Sequence, residues 1–453
     1  MTPRQLQKLD QELRAFVGGL VAGMGRAERR EAMRLYVQGL LLDGERKSME
    51  PMASRLIDDP SELVSMRQRL QECISVSPWD EREVYRKLAL KLEAEMPDVE
   101  ALVIDDTGFP KKGKASVGVA RQYSGTLGRT DNCQVATSLH LASEKGSGCI
   151  GFRLYLPESW TEDRARCQKA GVPDDVVFET KWRLALQLVE RALAWGVRKH
   201  VVLADAGYGE VTDFREGLAA LGLTYVVGVP RGIVVWPPGT KFHIPAHAPG
   251  KLGRPASRPI AEAASPTSIE ALLAAQPRSA WRTVSWREGS RGRQSSRFCA
   301  LRVSTAHKHR SGHHPGEEQW VFAQWPRGEE HPTKYYLSNL PPGTALRTLV
   351  RLAKLRWRVE RDYQEMKGEV GLDHFEGRSW TGFHHHAALC AAAHAFLSLQ
   401  RALFPPQDSE LDPADGPSSP SAGPHQHDRD LPALPASCYT PLAAERALDH
   451  LIK

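Results

Sequence analysis

Apolar side chains recur at helical spacing through the first hundred residues. Between Leu6 and Leu20 they repeat every three or four positions, and Thr2-Pro3 just before them is a favoured helix start. Asp59-Pro60 repeats this start signal, and Ser77-Pro78-Trp79-Asp80 repeats it again with Asp80 at the capping-box position. The pattern predicts an all-helical N-terminal domain over residues 1–97.

The apolar period changes from helical to strand-like after Pro97. Four short segments of β-branched or alternating residues, separated by Gly, Asp and Asn turns, indicate a β-meander. Two helices then alternate with two apolar strands up to residue 229. The strands are expected at 101–105, 114–125, 133–143, 151–157, 199–205 and 223–229, and the helices at about 175–195 and 211–221. This order predicts an α/β fold in which a mixed sheet is flanked by helices.

Residues 230–332 interrupt that pattern and are rich in Pro, Gly, Ser, Arg and His. Their strand-like pieces predict a β-rich insertion, after which the α/β signal resumes over 333–404. Residues 405–436 are Pro-rich and carry six acids against one arginine, a net charge of −5, which predicts a disordered acidic tail. We expect a short C-terminal helix over 437–453.

Composition narrows the class of protein. The chain has 453 residues of which 41% are hydrophobic, enough for several ordinary cores, and its seven scattered cysteines suggest neither a disulfide framework nor a zinc site. It has no stretch of 18 apolar residues and no apolar leader, so we expect a cytoplasmic protein without a membrane partner. The net charge of +6 and the pI near 8.9 favour a polyanionic partner.

The segment LRWRVERDYQEMKGEVG, residues 355–371, places three charged side chains on one helical stripe. Arg356, Glu360 and Lys367 are four and seven positions apart, which returns each to nearly the same face of a helix. For a single Arg/Glu pair at this spacing, a solvated salt-bridge face is the simpler explanation. The choice between a site and a surface therefore depends on the other acids of the chain.

Two aspartates stand where apolar strands are expected to end. Asp105 follows ALVI and Asp205 follows VVLA, and carboxylates at that edge of an α/β sheet point into the crevice where ligands bind. A turn or helix-cap role is the alternative for each. With Glu360 they would form a site of hard oxygen ligands suited to Mg²⁺ or Mn²⁺, as two-ion phosphodiester chemistry requires.

At these residues the chain resembles the DDE transposases of bacterial insertion sequences. Their third motif reads Y-x2-R-x3-E-x6-K, and Arg356, Glu360 and Lys367 fit its spacing, although Ala353 stands at the tyrosine position. Their first motif, in the branch that reads D-[DE]-T-G-F, falls on DDTGF at 105–109, and LADAGYG at 203–209 matches the second. Further similar segments include GERKSMEPMA, RLYLPESW and GLDHFEGRSWTGFHHH.

The resemblance implies an RNase H-like catalytic domain, split into 98–229 and 333–404 by the insertion, behind a DNA-binding domain at 1–97. It implies a transposase that cuts element ends and joins them to target DNA. The implied catalytic and metal-binding residues are Asp105, Asp205 and Glu360, with Asp106 as the alternative to Asp105. The implied cofactor is a pair of Mg²⁺ ions, with Mn²⁺ as a substitute, and the implied partners are double-stranded DNA and further copies of the chain, in a homodimer or higher synaptic complex.

Several cations are candidate DNA contacts. These are Arg356, Lys367, Lys111, Lys112 and Lys114, although a solvated turn explains the three lysines after the first motif equally well. Two helical turns, about 10 Å, separate Lys367 from Glu360, so we expect its partner to be a DNA phosphate and its replacement by Gln to leave stability unchanged.

Two other functions fit part of the sequence. A non-catalytic DNA-binding protein derived from a transposase would need only the basic surface, but all three acids are present. A metal-dependent phosphohydrolase would need the acids, but neither the basic body nor the large insertion. The run of three consecutive histidines at 384–386 does not predict a metal site, because consecutive helical side chains diverge by about 100°.

Overall fold

The structure is a computed structural model that describes residues 3–125, 128–245, 259–262, 264–289, 292–307 and 315–404. The predicted cap at Thr2, the predicted acidic tail at 405–436 and the predicted helix at 437–453 lie outside the described residues. Across the described ranges, no helix combines the length and the apolar character needed to cross a bilayer.

The N-terminal region is helical, as its apolar period predicts. Its helices are α1 (Pro3–Val21), α2 (Ala27–Leu41), α3 (Met49–Arg55), α4 (Leu63–Ser75) and α5 (Glu81–Glu95). Asp80 is the N-cap of α5 and accepts a hydrogen bond from the Arg82 amide at 2.9 Å, so the prediction that it occupies the third helical position is wrong. The reason is Trp79, which is buried and donates its indole N–H to the Cys73 carbonyl at 2.8 Å, outside the helix.

The centre of the fold is a mixed sheet. The elements in this part are β1 (Ala101–Pro110), β2 (Ala120–Ser124), β3 (Arg129–Ala142), β4 (Ser147–Leu154), α6 (Glu158–Thr161), α7 (Arg164–Lys169), α8 (Lys181–Ala194), β5 (Val201–Ala204), α9 (Ala206–Gly209), α10 (Thr212–Ala220) and β6 (Tyr225–Val229). Strand β3 pairs antiparallel with β1, β2 and β4, whereas β1, β5 and β6 run parallel to one another. This is the mixed sheet flanked by helices that the order of the segments predicts.

The strands of the insertion extend the same sheet. The elements are β7 (Val234–Trp236), β8 (Phe242–His243), β9 (Ile260–Ala261), β10 (Thr267–Ser268), α11 (Ile269–Ala274), β11 (Arg282–Gly289), β12 (Gly292–Thr305) and β13 (Glu318–Trp325), followed by β14 (Lys334–Ser338). Strand β14 pairs with β6 on one side and with β13 on the other, and β12 continues the ladder. Within the described residues twelve strands form this sheet, and β8 and β9 form a separate ribbon.

Three helices complete the fold: α12 (Leu346–Leu355), α13 (Trp357–Gly368) and α14 (Trp380–Leu403). Helix α14 is buried for most of its length and packs on β4, α2, α4 and α5, with the ring centre of Phe396 5.4 Å from that of Phe16. His385 lies within 2.9 Å of the Ile74 carbonyl and 2.8 Å of the Trp79 carbonyl. The predicted fold class, a helical N-terminal region before an interrupted mixed sheet, is confirmed.

Candidate active site

Strand register brings the two predicted aspartates to adjacent strands. The parallel pairing of β1 with β5 aligns Val103 with Leu203, and Asp105 and Asp205 each lie two residues beyond that pair. Asp205 directly follows the end of β5, where a strand end was predicted, and caps α9 by accepting from the Gly207 amide at 3.0 Å. The prediction that Asp105 ends its strand is wrong, because β3 continues to pair with β1 as far as Pro110 after β5 has ended.

Arg356 connects the first and third acids. One guanidinium nitrogen donates to Asp105 Oδ2 at 2.7 Å, and another donates to Glu360 Oε1 at 2.5 Å. Arg356 is the residue between α12 and α13, which places its side chain over the edge of β1 and beside the first turn of α13. The i, i+4 pair read from the sequence is therefore present, and the same arginine also binds the strand aspartate.

Burial and charge decide the electrostatics of this group. Asp105 is only 9% exposed, and burial raises its pKa to about 7; the Arg356 guanidinium acts against this rise and the Asp205 carboxylate adds to it. Burial opposes the charge of Arg356, but attraction to Asp105, Glu360 and Asp205 outweighs it and raises the pKa of the guanidinium. Glu360 keeps 62% of its side chain exposed, so it remains accessible to a ligand.

A cleft of about 690 Å³ opens over these residues. Asp205, Arg356 and Glu360 line it, together with Lys354, Tyr336 and Trp357. Ala353, which stands at the motif's tyrosine position, is part of the same wall. The cleft thus joins the second and third acids, and Arg356 links it to the buried Asp105.

Asp106 takes a different partner. Successive residues of a strand point to opposite faces of the sheet, and the Asp106 carboxylate forms an ion pair with Lys181 at the start of α8. Arg356 contacts Asp105 instead. The geometry therefore groups Asp105, rather than Asp106, with Glu360.

The other predicted cations lie away from Glu360. Lys367 donates to the Gly108 carbonyl at 2.8 Å, and its ammonium lies 5.2 Å from the centre of the Phe109 ring. Lys111 donates to the Phe375 carbonyl at 2.8 Å. Lys112 and Lys114 are exposed and line a separate concavity. Lys367 and Lys111 thus have intramolecular partners that spacing alone did not reveal.

A buried polar network behind α13 escaped the sequence reasoning. Asp362 accepts from Ser147 Oγ at 2.6 Å and lies 2.6 Å from His140 Nδ1, and these contacts offset the cost of its burial so that its pKa is lowered. Tyr363 Oη lies 2.5 Å from Ser138 Oγ, and Ser138 is the residue paired with Asp105 across β3. Asp362 and Tyr363 fall on the buried side of the same helix that carries Glu360. The sequence carried one signal of this network: Asp362 and Tyr363 lie three and four positions after Val359, which puts two polar side chains on the apolar face of α13.

The donor chemistry suits a hard divalent cation. The three acids supply only carboxylate oxygens as ligands. Their combined negative charge also exceeds what the single guanidinium of Arg356 can neutralise. As the side chains stand, no three His, Cys, Asp or Glu residues within the described ranges are grouped closely enough to hold one metal ion. The set fits Mg²⁺ in ligand type, with the exposed Glu360 side chain able to reorient.

Comparison with known proteins assigns the chain to a family. The chain is 31% identical over 204 residues to a probable transposase for insertion sequence element IS701 from Microchaete diplosiphon; the match covers 44% of this chain and about half, 48%, of the relative. A cryo-EM structure of a piggyBac transposase synaptic complex with hairpin DNA superposes with a TM-score of 0.41 at 11% identity, covering 86% of this chain and 72% of the other. The sequence profile of the DDE superfamily endonucleases matches residues 19–293. Because that match spans more than half of the chain, this protein belongs to the DDE superfamily endonuclease family.

Proposed function

We propose that the protein is the transposase of an insertion sequence, which cuts double-stranded DNA at the element's ends and joins them to target DNA. The observation that carries the proposal is the convergence of Asp105 and Glu360 on Arg356, with Asp205 in the same cleft. Family membership and the likeness to a probable transposase support it. We place the activity in the cytoplasm and in a homodimer or higher synaptic complex.

Asp105, Asp205 and Glu360 would hold two Mg²⁺ ions, or Mn²⁺ in their place. Such ions supply activation of water and stabilisation of the leaving oxygen in an in-line displacement at phosphorus. Hydrolysis of one phosphodiester would free a 3′-hydroxyl at the element's end. That hydroxyl would then attack a phosphodiester of the target, exchanging one bond for another in the same site.

The chain's own cations complete the proposed chemistry. Arg356 balances the charge of Asp105 and Glu360 and can turn part of its guanidinium toward a phosphate in the cleft, since its fork of donors suits phosphate oxygens. Lys354 lines the same cleft and supplies a second positive charge beside the substrate. The walls contributed by β6, β14 and α12 would hold the DNA strand against the acids.

The test uses the full chain and a duplex that carries the element's terminal repeat. Nicking is measured with Mg²⁺ for Asp105→Asn, Asp205→Asn and Glu360→Gln, while affinity for the same duplex is measured without metal. We expect each variant to lose cleavage by several orders of magnitude and to bind within a few-fold, because phosphate contacts by Lys and Arg dominate affinity. Glu83→Gln, which removes a half-exposed acid paired with Arg86 on α5, is the matched control.

Two results would overturn the proposal. Wild-type cleavage by the Asp205→Asn or Glu360→Gln variant would remove these acids from the chemistry. Hydrolysis of a small phosphodiester with no cleavage of duplex DNA would identify a phosphohydrolase instead. Normal cleavage by Asp105→Asn together with inactivity of Asp106→Asn would move the first catalytic position by one residue.

A further inference from the structure

A second polar groove, which shares no lining residue with the active-site cleft, lies between helix α4 and the segment after α13. It encloses about 820 Å³. Its walls carry Arg46, Arg67, Gln71, Ser75, His374 and Glu376. We call this feature the α4 groove.

Helix α4 has two distinct faces. Leu70, Cys73 and Ile74 are buried against the N-terminal core. On the groove side, Arg67 and Gln71 are one helical turn apart and both are exposed. Within the described ranges neither side chain has a hydrogen-bond or ion-pair partner, so the groove face of α4 presents an arginine and an amide with unused donors and acceptors.

The opposite wall is held in place by contacts to the N-terminal region and to the loop that follows β1. His374 Nδ1 accepts from the Lys47 amide at 3.1 Å, and the Phe375 carbonyl accepts from Lys111, which follows β1. Arg46 and Glu376 face each other at 3.6 Å with both side chains largely exposed, a weak pair that a stronger anion can displace. The groove is therefore a preformed feature with a replaceable counter-ion.

In the α4 groove itself Arg46 and Arg67 are balanced by Glu50 and Glu376, and a basic surface begins beside it. Arg46 and His374 also line an adjoining concavity of about 330 Å³, and the loop at 111–116 leads from there to a third, of about 600 Å³, lined by Lys112, Lys114 and Arg121. Over the three concavities, with the buried Lys47 left out, eight lysines and arginines face four acids. That surplus suits an extended polyanion rather than a small ligand.

The distance to the active site suits duplex DNA. Lys111 is six residues beyond Asp105, and β1 is extended over all but the last of them, so the two lie on the order of 20 Å apart at about 3.4 Å per residue. B-DNA advances about 3.4 Å per base pair, so this separation corresponds to roughly six base pairs. A duplex that lies along these three concavities can thus reach the acids with its scissile phosphate.

We propose that the α4 groove is the sequence-reading site for double-stranded DNA, with Arg67 and Gln71 contacting base edges while Arg46, Lys112 and Lys114 contact phosphates. Arg and Gln pair respectively with guanine and adenine edges in the major groove, which gives the α4 pair its recognition chemistry. This inference rests on the proposed function, since it names how the transposase would recognise an element's end.

The experiment measures binding of the full chain without divalent metal, so that cleavage cannot contribute. The probe is a duplex selected by the wild-type chain from a random pool, and a scrambled duplex of equal length and composition is the reference. Arg67→Ala and Gln71→Ala should each lower the preference for the selected duplex by roughly fivefold or more. Lys112→Gln should weaken both duplexes alike and reduce the salt slope of binding by about one. Arg86→Gln on α5 is the control and should change neither quantity.

The outcomes separate this site from the proposed function. Wild-type preference in both α4 variants, or an equal loss on both duplexes, would overturn base reading by α4. Tighter binding of single-stranded DNA than of the selected duplex would also overturn it. A chain that selects its duplex through Arg67 but never nicks DNA with Mg²⁺ would keep the α4 groove and refute transposition. Circular dichroism of each variant checks that its fold is intact.

Discussion

Lys367 provides a sharp test of the structure, because sequence spacing and tertiary contacts make opposite predictions for it. Spacing predicts a DNA contact whose removal leaves stability unchanged. In the structure the ammonium donates to the Gly108 carbonyl at 2.8 Å and lies 5.2 Å from the Phe109 ring centre, so it ties the end of α13 to β1. The perturbation is Lys367→Met, which keeps most of the length of the side chain and its apolar contact with Phe109 while removing the charge.

The expected loss of stability follows from these contacts. A hydrogen bond from a charged donor contributes about 1.5 to 3 kcal/mol, and a cation over a phenyl ring about 0.5 to 2 kcal/mol. Burial works against this gain: it lowers the pKa of Lys367, which shows that holding the ammonium out of water has a cost, although Asp373 partly offsets it. We therefore expect Lys367→Met to reduce the free energy of unfolding by about 1 to 2 kcal/mol.

The assay is denaturant unfolding of the metal-free, DNA-free chain, followed by circular dichroism. Lys8→Met, at a side chain that is 71% exposed, is the control and should stay within about 0.5 kcal/mol of the wild type. Unchanged stability of Lys367→Met together with weakened DNA binding would refute the structural role. It would restore the interpretation of Lys367 as a phosphate contact.

Three further predictions concern the buried and cleft-lining groups. Tyr363→Phe removes the hydroxyl that contacts Ser138, the residue paired with Asp105 on the neighbouring strand. Mn²⁺ affinity measured by electron paramagnetic resonance should fall several-fold while the fold persists. Unchanged affinity would show that the buried network does not support the metal-binding acids. Burial lowers the pKa of His386 from 6.5 to about 4. The unfolded chain therefore takes up the proton first, and the free energy of unfolding should fall as pH drops from about 6.5 to 4. His386→Gln should flatten that part of the profile of stability against pH, and an unchanged slope would contradict this. Burial lowers the pKa of Lys354 to about 8, so DNA affinity should decline as pH rises through 8 in the wild type but not in Lys354→Gln, and parallel profiles would exclude a DNA contact by Lys354.

Local patterns in the sequence determined most helices and strands. They also determined the surroundings of two of the three candidate acids, Asp205 and Glu360. Helical period and strand alternation depend on neighbours two to four residues apart, so they predicted the N-terminal helices, the order of the strands and the end of β5 next to Asp205. The spacing of Arg356 and Glu360 is likewise a property of one helical turn, and it predicted their contact. Motif resemblance then grouped these residues with Asp105, although strand spacing by itself placed that aspartate at the wrong point of β1.

Tertiary structure alone decided which distant groups those residues meet. Arg356 binds Asp105 across 251 positions of the chain, and Lys367 binds Gly108 across 259. Pairing with β3 carries β1 past Asp105, and β14 joins the insertion strands to the main sheet rather than leaving them apart. These contacts depend on strand register and on which polar groups are buried away from water. The whole packed fold decides both, because the two partners of each contact are too far apart to fall within one short window of sequence.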